Sequence, residues 1–481
     1  MSFAAVLLPF LAAPVLGLAG APLAGAYGNL AVCAAVFLLT CATPPGSGGG
    51  LLQADPLGTI FAMLTGLAAL ATAVANIGFV RGAGARYGIR HWRVHHALCQ
   101  AVLGCTLLGL YADDLILLWL AVAGATLAAT LAASLSRRAA ALEIAWKTFL
   151  SGGLGIALAL FGTLALYLAA QPVFGPGEEA MRLSALTQHA ARLNGPLLTL
   201  AFVLLLFGYG ARAALVPLHG WLADAFAEGP APFSTALGVL TLNVPLLAIL
   251  RFQHLLQANA AAGGGAMRPG PFLLAVGIAS LLAAAFSLWR RRDARRFFGF
   301  SAAGHGGIAV FAFGVGGPAA IFAGLLHMLL HTLLKSALFQ ALPCGGGGDA
   351  QPARRLSGAA ILALTGLPPS PLFVSEFLIV SQTVQRLPLL SLPLGLGLTV
   401  YAVALLRMLG PMLRNPVPEA PRRRPAGAQP RLARASRALA SLPAAAPMLA
   451  AVLLLALALL LAFAMPWPLV RALSGIAESL Q

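Results

Sequence analysis

The chain has 481 residues, 60% of them hydrophobic and only 9% charged, with a mean hydropathy of +0.90. A water-soluble domain needs far more polar surface, so this composition describes an all-α polytopic membrane protein. The formal net charge of +17 then belongs to membrane-flanking loops and anionic lipid, and nucleic acid is not an expected partner.

Apolar windows long enough to span a bilayer fall near 3–20, 26–42, 57–80, 96–112, 114–135, 145–170, 194–215, 231–253, 271–289, 298–315, 318–341, 356–384, 389–412 and 446–470. That is about 14 transmembrane helices. The first run reads as a retained helix, since no Lys or Arg precedes Arg81. Loops after odd-numbered spans hold Arg81, Arg86, Arg90 and Arg93, then Arg137 and Arg138, then Arg290, Arg291, Arg292, Arg295 and Arg296. Loops after even-numbered spans hold few cations, among them Arg182, Arg268 and Arg386. Basic loops stay cytoplasmic, so both termini are expected on the periplasmic side of the inner membrane. Cys33, Cys41, Cys99, Cys105 and Cys344 form no CxxC pair. They read as small packing residues, with no disulfide framework, iron–sulfur centre or zinc site expected. The glycine runs at 46–50 and 345–348 read as flexible linkers.

Two spans contain proline where a continuous helix should not. Pro217 follows the seventh apolar run, and Pro368 and Pro369 sit inside the twelfth. Proline removes a donor and clashes with the preceding turn, so both helices should break near mid-membrane. The breaks lie five spans apart, at matching positions of two five-helix blocks, 96–254 and 255–413. Residues 1–95 supply N-terminal helices, 414–445 a basic cytoplasmic loop, and 446–481 a last helix. Paired broken helices point to two inverted five-helix repeats with an ion path between them; two unrelated kinks are the plainer alternative. The Pro/Arg-rich stretch 414–437 should lack regular structure. It reads as an anchor on anionic lipid or as a docking surface for a cytoplasmic partner.

Titratable groups inside the spans are few. Arg212 precedes the first break, and His219, Asp224 and Glu228 follow it. His305 lies in a small-residue helix, and Glu376 follows the second break between apolar neighbours. His327, His331 and Lys335 recur at i, i+4 and i+8, which puts them on one helix face. The chain has 2 lysines against 28 arginines, yet Lys335 lies in a long apolar run. An ammonium can lose its proton in low dielectric, whereas a guanidinium cannot. The plainer readings are a snorkelling lysine and histidines bonded inside a bundle. Taken together, the set reads as a row of proton-exchanging sites along the membrane midplane. No P-loop, GxSxG, HExxH or CxxCH motif offers competing chemistry, and no cofactor is expected in this chain.

These motifs resemble the antiporter-like membrane subunits of NADH:quinone oxidoreductases, Mrp antiporters and energy-converting hydrogenases. GYGARAALVPLHGWLADAFAEGPAPFSTAL (208–237) is similar to the family's first broken helix, HMLLHTLLKSALF (327–339) to its His-x-x-x-His-x-x-x-Lys helix, and GLPPSPLFVSEF (366–377) to its second broken helix. ALEIAWKTFLSGGLGIALALFG (141–162) and LWRRRDARRFFGFSAAGHGGI (288–308) are most similar to hydrogenase-4 component F.

The resemblance implies a proton-translocating subunit without a redox centre. It would work beside other membrane subunits and a cytoplasmic iron–sulfur arm. Lys335 would store the proton, His327 and His331 would shuttle it, and Glu376 would form the exit. An Mrp-type cation/proton antiporter subunit and a non-conducting scaffold subunit are the alternatives. Two departures stand out. Arg212 replaces the family's broken-helix lysine, and Ala123 stands where its fifth-helix glutamate partner is expected. An impaired N-terminal half-channel and an intact C-terminal one are therefore expected.

Overall fold

In lipid every backbone polar group must be satisfied within the chain, and a helix does this with its own residues alone. The computed structural model describes residues 2–83, 87–135, 139–228, 231–290, 293–342, 351–414 and 446–480, with backbone only at 2, 83, 228 and 231–239. The described helices are α1 (Ser2–Gly17), α2 (Pro22–Cys41), α3 (Pro56–Ala83), α4 (Ile89–Tyr111), α5 (Leu115–Ser134), α6 (Ala139–Phe174), α7 (Leu183–Gln188), α8 (Gly195–Arg212) and α9 (Gly220–Glu228). They continue as α10 (Ala231–Ala261), α11 (Gly270–Arg290), α12 (Ala294–Val315), α13 (Pro318–Ala341), α14 (Gln351–Ala363), α15 (Pro371–Arg386), α16 (Ser391–Arg414), α17 (Ala446–Phe463) and α18 (Trp467–Ser479). The glycine run at 46–50, expected as a linker, instead forms half of a small antiparallel ladder in which Gly48 pairs Gln53 and Gly49 pairs Leu52.

Among the described residues, 11 helices are long and apolar enough to cross a membrane, against the fourteen expected. Two of the three differences have physical causes. α1 has only 16 residues, and α14 and α15, with 13 and 16, are the halves of one broken span. The start of α10 lacks described side chains. The segment 414–437 lies outside the described residues except Arg414, as do Arg86, Arg137, Arg138, Arg291, Arg292 and Cys344.

The breaks fall at the fourth member of each block. The first block is α4, α5, α6, α8/α9 and α10; the second is α11, α12, α13, α14/α15 and α16. In both, the first helix packs on the second and the third on the broken one. α12 and α13 form the centre. All residues of α12 from Phe297 to Val315 are buried, and α17 covers α13 from the far side. Small residues allow this close approach. A Cβ at Gly307 would sit 2.7 Å from the Ser280 side chain of α11, and one at Gly304 would sit 2.8 Å from the Tyr401 ring of α16.

Candidate functional site

The second break starts where α14 ends at Ala363 and the chain turns through Gly366 at φ +69°. That left-handed conformation suits glycine. Ser370 then caps α15, its hydroxyl accepting from Phe373 N at 3.3 Å, with Pro371 at the first helical position. Glu376 follows and is buried. Its carboxylate lies directly against Gly366, where any Cβ would overlap it. Pro368 and Pro369 themselves face outward; they break the helix without lining its interior.

On α13, His327 and Lys335 are fully buried and His331 nearly so. Their partners come from two other helices, α12 and α15. Ser375 Oγ donates to Leu372 O at 2.9 Å, so it accepts from Nδ1–H of His327 at 3.0 Å. His327 Nε2 is then the bare nitrogen and accepts from His305 Nδ1–H at 3.1 Å. One hydroxyl proton thus sets both tautomers. His305 Nε2 is left without a partner, as is His331 Nε2. Lys335 turns away from the histidines. Its Nζ donates to Phe298 O and Ser301 Oγ of α12, each at 2.9 Å. Ser301 Oγ lies 2.7 Å from Tyr401 OH, which donates to Ser301 O at 2.8 Å.

The result is two hydrogen-bonded segments, Lys335–Ser301–Tyr401 and His305–His327–Ser375. They meet where the His305 ring touches those of Tyr401 and His331, with centroids 5.0 and 4.6 Å apart. A cavity of about 10 Å³, the size of one water site, borders His305, His327, His331, Asn243 and Ala213. Asn243 of α10 donates to Thr332 Oγ1 at 3.0 Å, tying that helix to the histidine face. Sequence reasoning missed Ser301, Ser375 and Tyr401. Ser301 stands one turn before His305, a spacing that could have marked it.

The first break is built differently. α8 ends at Arg212, and the turn passes through Ala214 at φ +56°. Arg212 is buried, with its guanidinium 4.3 Å from the centroid of Trp221. Trp221 is itself fixed by donating to Ala211 O at 2.9 Å. Arg212 Nη1 has no hydrogen-bond partner. Inserting an arginine at mid-helix costs roughly 3 kcal/mol, and a desolvated cation–π contact returns about 2 kcal/mol; the ring offsets most of the burial. The small cavity beside Arg212 is lined by Ala121, Val122 and Ala125. Asp224 does not answer Arg212: it pairs with Arg296 at 3.4 Å. His219 is half-buried beside the Phe300 ring at 6.1 Å, and Pro217 faces outward. The side chain of Glu228 lies outside the described residues.

Known proteins are similar to this chain in sequence and fold. The pattern of the NADH:quinone oxidoreductase/Mrp antiporter membrane family matches residues 112–344. A hydrogenase-4 component F homolog of Methylacidiphilum infernorum is 40% identical over 403 residues, 79% of this chain and 82% of the relative. Among solved structures, a chain of the membrane-bound sulfane sulfur reductase, an archaeal respiratory membrane complex, superposes with a TM-score of 0.77 at 18% identity, covering 100% of this chain and 97% of the other. A chain of respiratory complex I from Thermus thermophilus superposes with a TM-score of 0.73 at 23% identity, covering 97% and 99%. The chain belongs to this family of antiporter-like membrane subunits and resembles its hydrogenase-4 component F members.

Proposed function

We propose that this chain is the proton-translocating subunit of a redox-driven respiratory complex of the NADH:quinone oxidoreductase or group-4 hydrogenase type. The observation that carries this reading is the pair of buried hydrogen-bonded segments Lys335–Ser301–Tyr401 and His305–His327–Ser375, which meet at the ring contact of Tyr401 with His305. Lys335 has oxygen acceptors on two sides and no described acidic partner. An ammonium so placed can give up its proton without abandoning a counter-ion. The histidines pass the proton on by tautomer exchange, and Glu376 at the break completes the route. In this reading the chain holds no redox centre; electrons would flow in a cytoplasmic iron–sulfur arm, with other membrane subunits between. The arginine bias of the loops supports an inner-membrane location with both termini periplasmic, and the basic segment 414–437 fits anionic lipid.

The test is Lys335→Met in the assembled complex, reconstituted in liposomes. Redox-coupled proton uptake should vanish while electron transfer and assembly persist; pumping at the unaltered stoichiometry would eliminate Lys335 as the carrier. One observation favours a narrower alternative, in which only the C-terminal half conducts: Arg212 sits on an aromatic ring with no described carboxylate partner.

A further inference from the structure

We propose that His305, His327 and Glu376 form a binding site for a divalent transition-metal ion, and that an ion held there closes the proton route. The three buried side chains come from α12, α13 and α15, and one ligand atom from each lies within 4.8 Å of the others. In a tetrahedral zinc site with Zn–N bonds of about 2.0–2.1 Å, two ligating nitrogens stand about 3.3 Å apart. His305 Nδ1 and His327 Nε2 are 3.1 Å apart, so the imidazole pair is already near chelating separation.

The protonation pattern also suits a metal. His327 Nε2 is bare, and its Nδ1–H is held by Ser375 Oγ, the outer hydrogen bond that orients metal-bound histidines. Within the imidazole pair only one proton has to move: that of His305 Nδ1 passes to Nε2, which has no partner and lies beside the cavity shared with His331. The Glu376 carboxyl binds as its carboxylate, releasing any proton it holds. Two imidazoles and one carboxylate favour Zn²⁺ or Co²⁺ over Mg²⁺ or Ca²⁺, which prefer all-oxygen shells. Three protein ligands leave a fourth position for water. The ion would replace the His305–His327 hydrogen bond and staple the second broken helix to the two central helices. The closure rests on the proton route proposed above; the metal site does not.

The purified full chain in detergent is titrated with Co²⁺. The expected result is one equivalent bound, with the intense visible absorption of a four-coordinate ion, and displacement by Zn²⁺. Ser375→Ala should weaken binding about 10- to 100-fold, and Glu376→Gln or His305→Ala by more, while His189→Ala leaves it unchanged. A wild-type chain without that spectrum overturns the site, as does unaltered affinity in Glu376→Gln or His305→Ala. Ser375→Ala keeps the test decisive should the ligand variants fail to fold. In liposomes carrying the assembled complex, proton flux should fall with the same midpoint as the Co²⁺ absorption rises. Full flux at a saturated site overturns the closure, and a complex with no flux before metal is added refutes the proposed function instead.

Discussion

The two helix breaks use the same backbone device and opposite electrostatics. Each turns through a left-handed residue, Ala214 at φ +56° in the first and Gly366 at φ +69° in the second. At the first, a guanidinium lies on Trp221, and Asp224, the acid that follows it in sequence, is drawn off to Arg296. At the second, a carboxylate packs on the glycine, and the lysine of that half, on α13, lies among hydroxyl and carbonyl oxygens of α12. An arginine held by a ring keeps its charge at any working pH, so it acts as a fixed potential. A lysine held by neutral oxygens can change charge state without breaking an ion pair. In the proposed function, the partners of the cation, and not the broken-helix geometry alone, separate a conducting half from a non-conducting one.

The largest effect expected from this contrast is at Lys335. Lys335→Met keeps the length and removes the charge, and translocation should drop to the leak level in a complex that still assembles. Next comes Glu376→Gln, where proton flux should fall by roughly 100-fold, within the range typical of removing one acid–base group. Gly366→Ala should approach the same loss and also lower thermal stability in detergent, since its Cβ overlaps the carboxylate and its φ disfavours alanine. Wild-type flux in both variants would disconnect the second break from transport.

A smaller effect is expected at Tyr401. Tyr401→Phe keeps the ring against His305 but leaves the buried Ser301 oxygens short of a partner. About 1–3 kcal/mol of stability should be lost, with flux slowed about 10-fold if the hydroxyl relays protons. Stability loss with unchanged flux would make it a packing residue. The smallest effect is expected at Arg212. Arg212→Gln should leave pumping near wild type and raise proton leak, measured as passive acidification of liposomes. Arg212→Lys combined with Ala125→Glu places a carboxylate in the wall of the cavity beside the cation and should give the first break a titrating pair. If Arg212→Gln shows neither leak nor loss, the fixed-charge role falls.

Much of the fold was legible because the bilayer imposes length. Each apolar window became a helix or a broken pair, and Pro217 and Pro368 marked both breaks. The His327, His331 and Lys335 face followed from helical spacing. What lay across the helix was not legible. Spacing suggested that Lys335 works with His331, yet its ammonium turns to Phe298 and Ser301. Asp224 follows the first break in the chain, yet its ion pair is with Arg296 and not with Arg212.

The sequence by itself determined where the apolar helices lie, where two of them break and which rare ionisable groups are carried inside, because burying backbone or charge in lipid is costly enough to leave a compositional mark. Tertiary structure alone decided the partners. Serine and tyrosine hydroxyls, once hydrogen-bonded, cost far less to bury than a charge and carry no periodic signal. Ser301, Ser375 and Tyr401 acquire meaning only when α12, α13, α15 and α16 pack within hydrogen-bond distance.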